Sequence, residues 1–63
     1  MMTHEQAKAR ACAEWGNTGW AHDARNADPR ERYEVGRDFG GLPRVLGRGD
    51  SWEAAFANAG VTL

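Results

Sequence analysis

The chain has a single cysteine, Cys12, so no internal disulfide can staple its fold. Small secreted domains usually depend on such staples, and their absence makes a reducing, cytoplasmic compartment the expectation. Long apolar runs are missing as well. None approaches the length needed to span a bilayer, and the opening Met1-Met2-Thr3-His4-Glu5-Gln6 is polar, without the apolar heart of a secretory signal. No sign of charge dominates: eight basic residues stand against nine acidic ones, a formal net charge of −1. Nucleic-acid binders are commonly strongly basic, so nucleic acid is the less favoured partner. Lysine is almost absent; seven of the eight basic residues are arginine, which suits paired, directional contacts better than diffuse attraction.

Length excludes more. Sixty-three residues make one domain, residues 1–63, and a chain this short buries only about 60% of its extended surface. Its core must be thin, with little material to wall a substrate cleft. What is present in strength is aromatic: three Trp, two Phe and one Tyr, enough large side chains to anchor a small core and to argue against disorder.

Local signals divide the chain into elements. Thr3-x-x-Gln6 fits a capping box, and the Ala-rich stretch from Glu5 to Glu14 after it favours helix. Ala7, Ala11, Cys12 and Trp15 fall on one face of that helix, and Gly16 ends it. Thr18 to Ala24 is ambiguous: Thr18 and Trp20 suit a strand, but the stretch is short and Ala-rich. Asn26-Ala27-Asp28-Pro29 reads as a turn. Arg32 to Arg37 alternates polar and apolar residues, the period of a strand with Tyr33 and Val35 on one side and Arg32 and Glu34 on the other. Asp38-Phe39-Gly40-Gly41 then turns the chain, and Leu42 to Gly47 returns as an edge strand that tolerates Pro43. Asp50 with Glu53 resembles a second capping box, after which Trp52, Ala55, Phe56 and Ala59 recur at helical spacing before Gly60 and Val61. The expected fold is α+β, a two-layer α-β-β-β-α arrangement. Both helices lie on one face of an antiparallel sheet, burying Trp15 and Trp52 against Tyr33, Val35 and Val45 or Leu46.

Motifs of chemistry are sparse. Gly47-Arg48-Gly49-Asp50-Ser51 matches the adhesion pentapeptide read by integrins, but two glycines at a corner and a capping residue explain it locally. His4, Cys12 and His22 are the soft-metal candidates and lack the paired spacing of a zinc site. Ser51, His22 and Asp23 have no glycine-framed nucleophile elbow to support a triad, so the reading is non-enzymatic, without metal or cofactor. The glycines form no phosphate-binding G-x-G-x-x-G, since Trp52 stands where the third would be.

Arg44-Val45-Leu46-Gly47 followed by Ser51-Trp52-Glu53-Ala54-Ala55-Phe56 resembles the last strand-to-helix passage of AP2-type DNA-binding domains. The α-β-β-β-α order is similar to that of double-stranded-RNA-binding domains. Where the latter would place basic residues at the start of the last helix, this chain has Asp50 and Glu53. The short length, mixed charge and Gly-Arg-Gly-Asp-Ser-Trp-Glu-Ala-Ala-Phe ending also resemble small accessory proteins of phages and prophages, among them anti-CRISPR inhibitors. That resemblance implies a stoichiometric inhibitor of a host protein complex, with no residue role to transfer.

The expected contact surface is the solvent side of the sheet and its adjoining loops. Glu31, Glu34 and Asp38 would imitate phosphates or meet a partner's basic residues, Arg30, Arg32 and Arg37 would fix orientation, and Trp20 would add an aromatic anchor. Two alternatives stand beside it: a nucleic-acid module using Arg37, Arg44 and Arg48, and a homodimer joined at hairpin edges.

Overall fold

A computed structural model describes residues 1–25 and 28–63. Helix α1 spans His4–Trp15, strand β1 Gly19–Asp23, strand β2 Tyr33–Phe39, strand β3 Leu42–Gly49 and helix α2 Trp52–Asn58; short 3₁₀ turns cover Gly16–Thr18 and Pro29–Glu31. The three strands form one antiparallel sheet in the order β1-β2-β3. Both helices pack against it, α1 over β1 and α2 over β3. The fold is a small α+β two-layer structure with the element order that the local signals predict.

Each boundary has a local cause. The Thr3 hydroxyl accepts the Gln6 N–H at 3.1 Å, and the Gln6 side chain accepts the Thr3 N–H at 2.9 Å, the reciprocal box that satisfies two orphan donors. Gly16, at φ 76°, ends α1 in a conformation that costs glycine little. The turn between β2 and β3 is tighter than expected. Phe39 still belongs to the strand and pairs with Leu42, leaving Gly40-Gly41 as a two-residue loop with φ 57° and 84°. Positive φ at both positions is the type I′ requirement, and that turn matches the twist of the flanking strands. Helix α2 ends with Gly60 N–H on the Ala57 carbonyl and Val61 N–H on the Phe56 carbonyl, the bond pair of a Schellman motif, and Val61 packs on the core as that motif favours.

Its N-terminal cap differs from the sequence expectation. Ser51, not Asp50, is the N-cap, its hydroxyl accepting the Ala54 N–H at 3.0 Å. The Glu53 carboxylate instead accepts the Met2 N–H at 2.8 Å, tying the N-terminal segment to α2. Its pKa is lowered by its own backbone N–H and by that of Met2. Of the turn placed at Asn26-Ala27-Asp28-Pro29, the first two residues lie outside the described ones. Asp28 caps the following 3₁₀ turn by accepting the Arg30 N–H at 2.9 Å.

The core is Ala7, Ala11, Val35, Trp52, Ala55 and Phe56. Trp15 stacks on Phe56 with ring centroids 5.9 Å apart, and Tyr33 meets Trp52 at 4.7 Å. With alanines on the helices and glycines on the strands, backbones come very close. A Cβ on Gly47 would run into the Ala55 carbonyl and sit 2.6 Å from the Ala59 nitrogen. Gly47 and Gly49 are therefore buried beneath α2, not merely a corner that releases the strand. Cys12 is exposed, outside the apolar stripe assigned to it.

Of the alternatives Val45 and Leu46, Val45 faces away from the helices. The pairing of β2 with β3 shifts between Val35 and Gly36: Val35 opposes Gly47, but Gly36 opposes Val45, and Leu46 is the extra residue of a bulge. One inserted residue reverses which side of the sheet the preceding positions face.

Candidate functional site: the uncovered face of the sheet

With both helices on one side, no described element covers the other. Strand alternation and register bring Trp20 and His22 of β1, Glu34, Gly36 and Asp38 of β2, and Pro43, Val45 and Arg48 of β3 to that open face. Trp20, His22, Glu34, Asp38, Pro43 and Val45 line one shallow depression. Its floor is set by a cross-strand pair. Trp20 opposes Gly36, and a Cβ on Gly36 would approach the indole Cζ2 to 2.7 Å. The indole thus lies across the glycine, supplying the packing that the glycine lacks. Trp20 is half-buried, and its Nε1 is shielded without an acceptor among the described residues.

Two charge pairs organise the surroundings. Arg48 Nε lies 2.7 Å from Glu34 Oε2 across the strands, leaving the Glu34 side chain 17% exposed. Much of the Glu34 charge is therefore answered within the chain. Asp38 is exposed and makes no ion pair among the described residues. On the helix side of the sheet, Arg32 grips Asp23 with Nε–Oδ1 at 2.6 Å and Nη2–Oδ2 at 2.8 Å. This forked geometry is the strong form of the arginine–carboxylate pair.

The seven residues expected to form one contact surface divide among separate places. Trp20, Glu34 and Asp38 do share the open face. Arg32 does not: it caps the 3₁₀ turn instead of opening β2, and its guanidinium is held by Asp23 while lying 5.1 Å from the Tyr33 ring centroid. Arg30 pairs locally with Asp28 at 3.3 Å. Glu31 is exposed on the same turn and borders a hollow with Val45, Leu46, Gly47, Arg48 and Asn58. Arg37, two residues beyond Val35 in a regular strand, faces the helix side. Sequence reasoning did not assign His22, Pro43, Val45 and Arg48 to this face. His22 could have been found by counting in twos from Trp20; Val45 and Arg48 share a face three residues apart only because of the bulge.

The motifs of chemistry are dispersed. In the adhesion-like segment, Arg48 is bound to Glu34, Gly47 and Gly49 lie under α2, and Ser51 caps that helix. His22 and Asp23 are consecutive strand residues and so point to opposite faces, which prevents them from acting jointly on Ser51. His4 stacks on Trp52 at 5.1 Å, with Nε2 2.9 Å from the Ala21 carbonyl. No group of three His, Cys, Asp or Glu suited to a metal occurs among the described residues, and no described helix is long and apolar enough to cross a membrane.

The Asp23–Arg32 fork carries a pH prediction. Hydrogen bonding from Arg32 lowers the Asp23 pKa from 3.8 to about 2. A carboxyl depressed on folding stabilises the protein above its unfolded pKa and loses that contribution as pH falls through the folded value. The Asp23 contribution is thus complete at neutral pH and declines between about 4 and about 2. Urea midpoints measured across that window should fall more steeply for the wild type than for Asp23→Asn; parallel curves would show the fork to be silent.

No family model, no curated protein and no solved structure matches this chain.

Proposed function

We propose that this protein works by binding, without catalysis, and that the uncovered face of its sheet seats on a protein partner. Occlusion of a host protein assembly, of which a CRISPR–Cas effector is the first to test, is the form of action we assign to it. The observation that carries this reading is the make-up of the open face. An aromatic residue, a proline and a valine (Trp20, Pro43, Val45) sit together within a border of His22, Asp38 and the Glu34–Arg48 pair. An apolar centre inside a polar rim is the anatomy of protein interfaces, and tryptophan is the side chain most often found as their energetic anchor. With Glu34 engaged by Arg48, phosphate mimicry would rest on Asp38 and Glu31, so packing on Trp20 is given the larger role.

Affinity capture from host lysate, followed by titration of the captured partner, tests this. Trp20→Ala should weaken binding by at least about 30-fold, the effect of losing an anchor residue, while Asp38→Lys at the rim should alter it severalfold and with a dependence on salt. Circular dichroism of each variant separates lost binding from lost fold. Equal capture by wild type and both variants would remove the open face from the contact. Sedimentation that rises with protein concentration would instead identify a second copy as the occupant.

A further inference from the structure

We infer that Arg37 and Arg44, stacked on Phe39 at the hairpin end, form a second docking site that receives a carboxylate of an acidic, partly apolar protein segment. The site lies on the helix side of the sheet, so it does not depend on the reading of the open face. Arg37 and Arg44 are direct register partners on adjacent antiparallel strands. Like charges placed opposite one another destabilise a sheet, and a chain with nine acidic residues had the means to answer them. It does not. Neither guanidinium makes an ion pair among the described residues, although Arg10, Arg25, Arg30, Arg32 and Arg48 all do. Asp38 is adjacent in sequence to Arg37 but points to the opposite face. Both guanidiniums gather instead on the Phe39 ring, 4.6 and 5.9 Å from its centroid, which orders two positive charges side by side.

Around Arg44 the surface is apolar and open, while Arg37 is half-buried with its Nε shielded and without a partner among the described residues. Phe39 is 45% exposed and Leu42 71% exposed, and Leu46 joins Phe39 and Arg44 in lining a hollow. Two paired arginines offer forked donors that match a carboxylate, and the neighbouring Phe39, Leu42 and Leu46 offer apolar area to side chains beside it. A nucleic-acid backbone fits less well. Its affinity comes from many phosphates met at once; here two cations stand together, flanked by hydrocarbon that a sugar-phosphate chain cannot use.

The test is a titration of the full chain, with the arginine Nε–H signals followed by nuclear magnetic resonance. The probes are a soluble peptide of alternating glutamate and leucine, the same peptide with glutamine for glutamate, and a single-stranded oligonucleotide of about 12 nucleotides. The acidic peptide should shift the Arg37 and Arg44 signals, the glutamine peptide should not, and Arg44→Glu should weaken peptide binding by at least about tenfold. Arg44→Glu also replaces repulsion from Arg37 by attraction, so its melting temperature should rise by roughly 2–6 °C. A purely structural role for Arg44 gives the reverse, and a fall in melting temperature overturns the proposal. It is equally overturned by absent or charge-independent peptide shifts, by tighter binding of the oligonucleotide at the same ionic strength, or by signals that move with protein concentration alone.

Discussion

Replacing Phe56 by alanine should leave the protein largely unfolded at room temperature. Phe56 is the largest side chain in the chain to be completely buried, and it sits where the two helices and the sheet converge, stacked against Trp15. Truncating a buried phenylalanine costs about 3–5 kcal/mol through lost transfer energy and the cavity left behind. A single core in a domain of this length supplies no more than about 3–5 kcal/mol of net stability. The two quantities are equal in size, so one substitution can exhaust the whole margin. The alanines at 7, 11 and 55 cannot move into the gap, since they project too little to refill it. Phe56→Leu keeps most of the volume and should cost less than about 1.5 kcal/mol if repacking is good. Far-UV circular dichroism with urea titration checks both. A cooperative transition in Phe56→Ala with a midpoint near that of the wild type would show that the core is anchored elsewhere.

Nearly as large an effect is expected from adding one methyl group at Gly47. Its Cβ would collide with the Ala55 carbonyl, lie 2.6 Å from the Ala59 nitrogen and 2.9 Å from the Ala59 Cβ. Two of these neighbours are backbone atoms of α2 and of its C-cap Ala59, so no rotamer change relieves the clash and the helix must lift from the sheet. Overpacking of this kind costs about 1–3 kcal/mol and sometimes more. Here it acts on the interface that buries Ala55 and Phe56, and Gly47→Val should be worse than Gly47→Ala. Gly16→Ala is the informative comparison. Nothing lies within 4 Å of a Cβ there, but φ is +76° and ψ −161°, a region open essentially to glycine alone, so its cost is conformational, about 1–3 kcal/mol. If Gly47→Ala and Gly47→Val both melted with the wild type, the close approach of α2 to β3 would not be what Gly47 protects.

These substitutions also locate the limit of what local reading can reach. Thr3 with Gln6 announced α1, Gly16 its end, Gly40-Gly41 the hairpin, and the spacing of Trp52, Ala55, Phe56 and Ala59 the buried stripe of α2. Each signal lies within a few residues of the element it governs, because capping, turn geometry and helical periodicity are interactions between near neighbours. The short strand at Gly19–Asp23 was ambiguous for the same reason: it is held by pairing with Tyr33–Arg37, not by its own composition. Asp50 and Glu53 looked like a cap, yet Ser51 took that role while Glu53 reached the Met2 N–H, a partner 51 positions away.

The candidate site shows the same division. From the order of residues alone came a small α+β fold, two apolar helix stripes, a hairpin, and a balance of charge that gave no general preference for nucleic acid. Which side chains meet on the open face came from the folded chain, because the extra residue at Leu46 turned Val45 outward and aligned it with Arg48. Which charges remain available came from it too: Glu34 is answered by Arg48 and Arg32 by Asp23, whereas Arg37 and Arg44 face each other unanswered among the described residues. Alternation along a strand says that successive residues diverge. It does not say which residue on the next strand lies opposite, and pairing energies depend on that register.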